Sequence, residues 1–442
     1  MNSTVRIALA GIAGYGDAYL EAILPKQESV GARLVGVVDP QPQRCKRLDE
    51  LNERQIPIHA TMQSLFAQQP SIDLMLIVTP IQLHATQTCF ALQNGANVLC
   101  EKPLAGTLRD AVRMAETQQA HPSQFVAIGY QWSFSQAVQS LKRDIIDGVL
   151  GRPIRMKSIA LHPRPMTYFR RNDWAGRLYS DSGAGIFDSP ANNATAHFLH
   201  NMFYLLGRTR ETSAIPAVVQ AELYRANDIE NFDTAAIRCH TECGVEVLFY
   251  TSHAIAERRG PRSCFEFEHG HVDFDFSGSG EFVARFKDGR VKYYGHPNFD
   301  RHEKIWQAID SVRSGAPVAC GIPAAMSHAT CIAAAQDSAG EISNFPSRLR
   351  RVIGYDGDAI LAIDRLGEQL IECYEREILP TEHPELVWAR AGRLIDLKKR
   401  NGDAHAAHPA HPTPAVALSV HPAIVRASAA AAARPVPSAE IL

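Results

Sequence analysis

Three stretches carry side chains whose types and spacing could do chemistry. The first is Asn97-Val98-Leu99-Cys100-Glu101-Lys102-Pro103, an apolar run of strand length that ends in a carboxylate, an ammonium and a proline unable to continue a ladder. In a parallel sheet, functional groups gather beyond the carboxyl ends of the strands, which places Glu101 and Lys102 at the mouth of a cleft. The Lys102-Pro103 bond is also open to the cis form, which would turn the lysine out of the strand line. Taken alone, the same residues read more simply as a strand end with a solvated ion pair. The second stretch, residues 164–177, packs Arg164, Tyr168, Arg170, Arg171, Asn172, Trp174 and Arg177 into a short span. Planar donors beside aromatic faces suit a polyhydroxylated or carboxylated ligand, and a basic surface loop with one anchoring tryptophan fits the pattern equally well. The third stretch holds Asp188, Asn192, Asn193 and His197 ahead of a helical pattern that runs to Gly207. A lone histidine there reads as structural on its own.

These residues need elements to position them, and the first half of the chain supplies a regular alternation. Val5-Arg6-Ile7-Ala8-Leu9-Ala10 is a strand pattern, Gly11-Ile12-Ala13-Gly14-Tyr15-Gly16 a glycine turn, and Tyr19, Leu20, Ala22, Ile23 and Leu24 mark one face of a helix. Glycine lets the backbone approach a pyrophosphate, whose charge a helix N-terminus stabilises. Ala13 stands where a second glycine is often found. A second strand, residues 33–38, ends in Asp39, a carboxylate placed to take both hydroxyls of an adenosine ribose and to repel a 2'-phosphate; it also suits a helix cap ahead of Pro40. NAD is therefore expected rather than NADP, with Arg44 the one residue that argues otherwise. Strands at 74–78, 97–100 and 124–129, with helices at 84–94 and 107–119, complete a doubly wound sheet.

In order and spacing, Gly11 to Gly16, Asp39, Thr79-Pro80 with His84, Glu101-Lys102-Pro103 and Gly129-Tyr130-Gln131 resemble the Gfo/Idh/MocA family of NAD(P)-dependent sugar and cyclitol oxidoreductases. The resemblance spans residues 5–340. It implies an N-terminal Rossmann domain, then an α/β domain with a large, mostly antiparallel sheet, with the nicotinamide between them. It makes Lys102 catalytic and assigns cofactor contacts to Gly11, Ala13, Gly14, Tyr15, Gly16, Asp39, Thr79, Pro80, His84 and Glu101. Counted back from Gly207, the family's Asp-x-x-x-His pair falls on Asn193 and His197, making His197 the general acid/base with an amide for a partner. A second register, Asp188 with Asn192, would leave no histidine; in the first, Asp188 can supply the missing charge from the preceding turn. Substrate contacts are expected from Gln131, Arg164, Tyr168, Arg171, Asn172, Trp174, Asp188 and Asn192. The resemblance also implies a homo-oligomer, formed through the sheet face opposite the cleft.

Length and composition fit this reading. At 442 residues the chain has room for about two domains and an appendage. The division expected is 1–128 for the nucleotide, 129–345 for the substrate and oligomer contacts, 346–400 as a helical extension that forms an added cap or interface, with amphipathic stretches at 358–377 and 385–399, and 401–442 as a disordered low-complexity tail. A net charge of -2 gives no electrostatic reason to expect nucleic acid or an acidic membrane, and no stretch has the length to cross a bilayer. Nine cysteines, scattered without zinc-finger spacing, and an N-terminus without a leader pattern point to a reduced, cytoplasmic protein without a metal. The function expected is NAD-dependent oxidation of a secondary alcohol on a sugar, polyol or cyclitol. The alternatives are a redox-assisted glycosidase and an inactive dinucleotide-binding sensor.

Overall fold

Short apolar strands joined by helices give the first layer its parallel pairing. The computed structural model describes residues 4–298, 301–355 and 358–399. The chain opens with β1 (Val5–Ala10), α1 (Tyr15–Lys26) and β2 (Ala32–Val38), followed by α2 (Leu48–Glu53), β3 (Ile58–His59) and α3 (Met62–Gln68). It continues through β4 (Leu74–Ile77), α4 (His84–Gln93), β5 (Asn97–Cys100), α5 (Leu108–Ala120) and β6 (Val126–Ile128). The strands pair in the order β3-β2-β1-β4-β5-β6, parallel throughout. Thr107 caps α5 by accepting from Asp110 N at 3.1 Å, the signal that starts this helix in the sequence.

After α6 (Gln136–Ile146), β7 (Pro153–Leu161) and α7 (Ala196–Leu205), the chain builds a second sheet. Its strands are β8 (Pro216–Arg225), β9 (Thr234–Thr241), β10 (Glu246–Ser252), β11 (Arg259–Phe267), β12 (Gly270–Asp275), β13 (Phe282–Phe286) and β14 (Val291–Gly295). Then follow α8 (Glu303–Ser314), α9 (Ile322–Ala339) and β15 (Ser343–Asn344). The order is β14-β13-β12-β11-β7-β10-β9-β8-β15, antiparallel apart from β7 with β10 and β8 with β15. One face of this sheet packs on α7 and α9. Helix α8 instead turns back to the first sheet and lies against β1, β4 and β5.

The other face of the second sheet is covered by the chain's own continuation. A hairpin of β16 (Arg350–Ile353) and β17 (Ile360–Ile363), then α10 (Leu366–Arg376), precede β18 (Ile395–Asp396), which pairs with β8. Ile159, Leu161, Leu248 and Tyr250 of the sheet share a core with Leu366, Leu370, Tyr374 and Trp388 of this segment. The two amphipathic stretches expected here differ in detail. Residues 358–377 begin with a strand before the helix, and residues 385–399 are largely irregular, since β18 takes its hydrogen bonds from β8 instead of closing helical turns. The tail expected from residue 401 onward lies outside the described residues. Among the described residues no helix is long and apolar enough to cross a membrane, and no three potential ligand side chains are grouped for a metal.

Candidate active site

At the carboxyl ends of β1, β4 and β5 the first sheet brings its loops together. Gly11 has φ +82°, and a side chain there would begin 2.6 Å from Val78 O, so only glycine lets the turn pack on the β4 end. Gly14, at φ +64°, caps α1 and has nothing of the protein within 4 Å of where a side chain would start. Ala13 and Tyr15 flank that bare backbone, and Gly16 begins the helix against Gly11. Asp39 stands beside the turn, its Oδ2 accepting from Ile12 N (3.1 Å) and its Oδ1 from Gln41 N (2.8 Å). A bare backbone at a helix N-terminus with a carboxylate one strand away fits a dinucleotide.

Two residues expected on the cofactor have other work. His84 is 1% exposed, and its ring nitrogens face Pro103 O (2.9 Å) and Thr79 O (3.0 Å), which ties the β4 and β5 loops and leaves no free nitrogen for a ligand. It thereby fixes Thr79, whose hydroxyl donates to Gln87 Oε1 at 2.6 Å, next to Pro80. Glu101 is buried: its Oε1 accepts from Tyr19 OH (2.6 Å) and pairs with Lys304 Nζ from α8, while Oε2 accepts from Lys102 N (3.1 Å). Burial pushes its carboxyl up, but the Lys304 ammonium, the Tyr19 hydroxyl and Lys102 together outweigh that and hold it below its ordinary value. Nothing near Glu101 in sequence announces Lys304, which lies 203 residues away inside an amphipathic helix.

Beside this pair stands Lys102, with a cis peptide bond to Pro103. Its Nζ donates to Asn193 Oδ1 (2.7 Å) and Asn193 O (2.9 Å), and Asn193 Nδ2 donates to Asp188 Oδ1 (2.8 Å). Asp188 Oδ2 accepts from Gly176 N at 2.7 Å. The two registers thus merge: amide and aspartate form one chain of hydrogen bonds to the lysine. Burial lowers the Lys102 ammonium to about 8, with Glu101 and Asp188 pulling the other way. Burial also raises the Asp188 carboxyl, against the lowering by Arg171, Gly176 N, Asn193 and Lys102.

Asn193 and His197 do not share one α-helical face as the spacing predicts. Residues Pro190–Ala194 form a π-helical turn, closed by Thr195, which donates both its N–H and its hydroxyl to Pro190 O at 2.8 Å. Helix α7 begins only at Ala196. Asn192, expected on the substrate, is 2% exposed and turns its Nδ2 back to Phe187 O (3.1 Å), so it secures the turn. His197 is buried edge-on to the Tyr130 ring at a centroid distance of 5.8 Å, and its Nδ1 has no hydrogen-bond partner. Burial, reinforced by Lys102 and Lys304, holds its imidazole well below the usual value and therefore neutral. Behind it, His328 of α9 faces Ala191 O with Nε2 (3.0 Å) and Tyr130 OH with Nδ1 (2.9 Å). A neutral ring carries one N–H, so Nε2 donates to the carbonyl and Nδ1 accepts from the phenol, which pins the π-helical turn to α9.

The loop of residues 164–177 arrives from the far end of β7. Arg171 lies over the Tyr168 ring at 3.6 Å and near Trp174 at 5.1 Å; Arg164 lies over Tyr168 at 4.7 Å. Asn172 is no substrate contact by its oxygen, since Oδ1 accepts from Trp174 N (3.2 Å) and Ala175 N (2.8 Å) and shapes the loop. Gln131, buried after β6, donates to Asn298 Oδ1 at 3.0 Å.

A glycine-turn sheet joined to a broad sheet, with Lys102 and Asp188 on loops and His197 in the first turn of α7, defines a dinucleotide-binding protein. Residues 5–130 match the family model described as oxidoreductase family, NAD-binding Rossmann fold. That model is of the NAD-binding domain of the Gfo/Idh/MocA oxidoreductases, and the match covers that part of the chain alone. It is 34% identical over 149 residues to 2,7-anhydro-N-acetylneuraminate hydratase of Mediterraneibacter gnavus, covering 34% of this chain and 37% of that protein. It is 26% identical over 156 residues to inositol 2-dehydrogenase/D-chiro-inositol 3-dehydrogenase of Shouchella clausii, covering 35% and 44%. These alignments span less than half the length of either relative. About three quarters of the chain is similar in fold to the WlbA dehydrogenase of Bordetella pertussis, solved with NADH and UDP-GlcNAcA. There the TM-score is 0.63 at 18% identity, over 76% of this chain and 97% of that one.

Proposed function

We propose that the protein is an NAD-dependent oxidoreductase acting on a secondary alcohol of a sugar, polyol or cyclitol. The observation that carries this reading is the chain of hydrogen bonds from Lys102 through Asn193 to Asp188, set beside the glycine turn. Gly11, Ala13, Gly14, Gly16 and Asp39 would hold NAD, which when bound supplies a hydride acceptor for a carbinol carbon. The ribose carboxylate Asp39 favours NAD over NADP.

The residues of the chain divide the proton work. Lys102, lowered to about 8, ionises close enough to neutrality to suit donation to the reacting oxygen and exchange of its proton. Asn193 aims the ammonium, and Asp188 orients the amide. His197 offers a neutral ring to the substrate hydroxyl and can take its proton as the oxygen becomes a carbonyl. The Tyr168 and Trp174 rings give the sugar an apolar wall. Dehydrogenase and hydratase names among the relatives fit polyhydroxylated substrates.

The test is absorbance at the NADH band while protein and NAD meet a panel of cyclitols, aldoses, sugar acids and glycosides. Substrate-dependent NADH that falls by about 100- to 10,000-fold in Lys102→Ala and His197→Ala is expected. Glycoside cleavage without net NADH would replace the reading with a redox-assisted hydrolase, and binding of NAD without either reaction would favour a sensor.

We propose a homo-oligomer as well. Because residues of the C-terminal segment already cover the central strands of the second sheet, the shared surface is expected on the β11 to β14 side, where Val291 and Tyr293 are exposed.

A further inference from the structure

The charges around the substrate loop do not balance. Arg171 stands between two other cations: it acts on Lys102 and Asp188 on one side, and together with Arg164 on Tyr168 and His253 on the other. Asp188 is the buried carboxylate beside them among the described residues; Asp173 of the loop is exposed, Glu101 is matched by Lys304, and Glu230 and Asp181 by Arg177. The neighbouring histidines do not add negative charge, and the cations keep them neutral: burial with Arg258 and Arg164 lowers His162 to about 3.

Neither arginine has a carboxylate within salt-bridge distance among the described residues. Arg164 Nε is buried without a hydrogen-bond partner. Arg171 spends one N–H on Tyr168 O at 2.6 Å, and its guanidinium is otherwise held by stacking on the Tyr168 ring while the residue stays exposed. A guanidinium fixed by an aromatic face, with its remaining donors free, is prepared for a planar acceptor of two hydrogen bonds. Stacking orders the side chain beforehand, which reduces the entropy lost on binding.

We infer that the substrate is an acidic sugar, one whose carboxylate is taken by Arg171 with Arg164 while its reacting hydroxyl faces Lys102 and His197. This rests on the oxidoreductase reading for the hydroxyl but on the two arginines alone for the carboxylate. The Tyr168 and Trp174 rings would lie along the sugar between the two ends. Asp188, engaged by Gly176 N and Asn193, leaves the acidic group of the ligand as the counter-charge for the loop.

The experiment is calorimetric binding, with NAD present, of matched pairs: glucose with glucuronate, galactose with galacturonate, and glucitol with gluconate, alongside glucose 6-phosphate. NADH formation is recorded in the same samples. At least one carboxylate is expected to bind about tenfold or more tightly than its neutral parent. That ratio should fall toward one in Arg171→Gln and be partly kept in Arg171→Lys, with Arg164→Gln giving a smaller fall. Equal affinities, a preference for the phosphate, a ratio untouched by Arg171→Gln, or no binding of any acid would each overturn the inference. Neutral sugars that yield NADH while their acids do not bind would sink the inference and leave the dehydrogenase standing. Acids that bind through Arg171 without NADH would do the reverse.

Discussion

Replacing Lys304 with methionine tests whether the site stands on a buried ion pair. Glu101 is 6% exposed and Lys304 1% exposed, so neither charge has water to fall back on. In Lys304→Met the carboxylate keeps Tyr19 OH at 2.6 Å and Lys102 N at 3.1 Å but loses the one cation paired with it among the described residues. Removing one member of a buried pair costs about 3 to 5 kcal/mol, because the charge left behind is unpaired. The loss should depend on pH with a definite sign. In the wild type the Glu101 pKa lies below its ordinary value, so its stabilisation is present above the unfolded pKa and lost as pH falls through the folded one. Without Lys304 the desolvation that already acts on Glu101 prevails and raises its folded pKa. The deficit of the variant is then full at pH 8 and shrinks as pH falls toward 5. Urea unfolding followed by tryptophan fluorescence, run at both pH values, measures it. Glu101→Gln combined with Lys304→Met should recover most of the loss by leaving no charge to desolvate. A deficit below about 1 kcal/mol at pH 8, the worth of an exposed pair, would refute the reasoning; so would a deficit that grows on acidification.

The lysine of the site gives a second test. In Asn193→Asp a carboxylate replaces the amide oxygen 2.7 Å from Lys102 Nζ, which stabilises the ammonium. The limb of the kcat/KM profile that titrates near 8 should move to higher pH; a limb that stays put belongs to another group. Light scattering should give a mass at least twice the 48.6 kDa of one chain. A Tyr293→Asp variant should weaken that assembly, and a monomeric wild type would remove the proposal.

Much of the first sheet and of the glycine turn is legible in the sequence because their signals are local. Apolar runs of strand length end in Gly11, Asp39, Thr79 and Lys102, so the strand ends name their own functional residues. The segment between Asp39 and Leu74 shows the opposite case, with β3 only two residues long and its flanking helices six and seven. Such pieces bury too few residues to leave a periodic pattern. The joining of Asn193 to Asp188 was open to expectation as a missing charge, but the π-helical turn was not, since its closure depends on a hydroxyl and an N–H of Thr195 meeting one carbonyl. His84 and Glu101 carry a recognisable spacing, yet their partners are the carbonyls of Thr79 and Pro103 and the ammonium of Lys304, contacts that no local pattern encodes.

The placement of α8 bears on how the protein can be made and divided. Residues 5–130 look like a detachable unit, but the face of β1, β4 and β5 receives a helix that the ribosome delivers some 170 residues later, with the counter-ion of Glu101 aboard. A nascent chain released up to β6 would hold an acidic group in an apolar setting and a bare sheet face, which invites chaperone binding until α8 emerges. A fragment ending at residue 130 should therefore be insoluble or take up a proton at Glu101, and one cut after Ser314 would restore α8 only to bare the second sheet of α9 and the C-terminal segment.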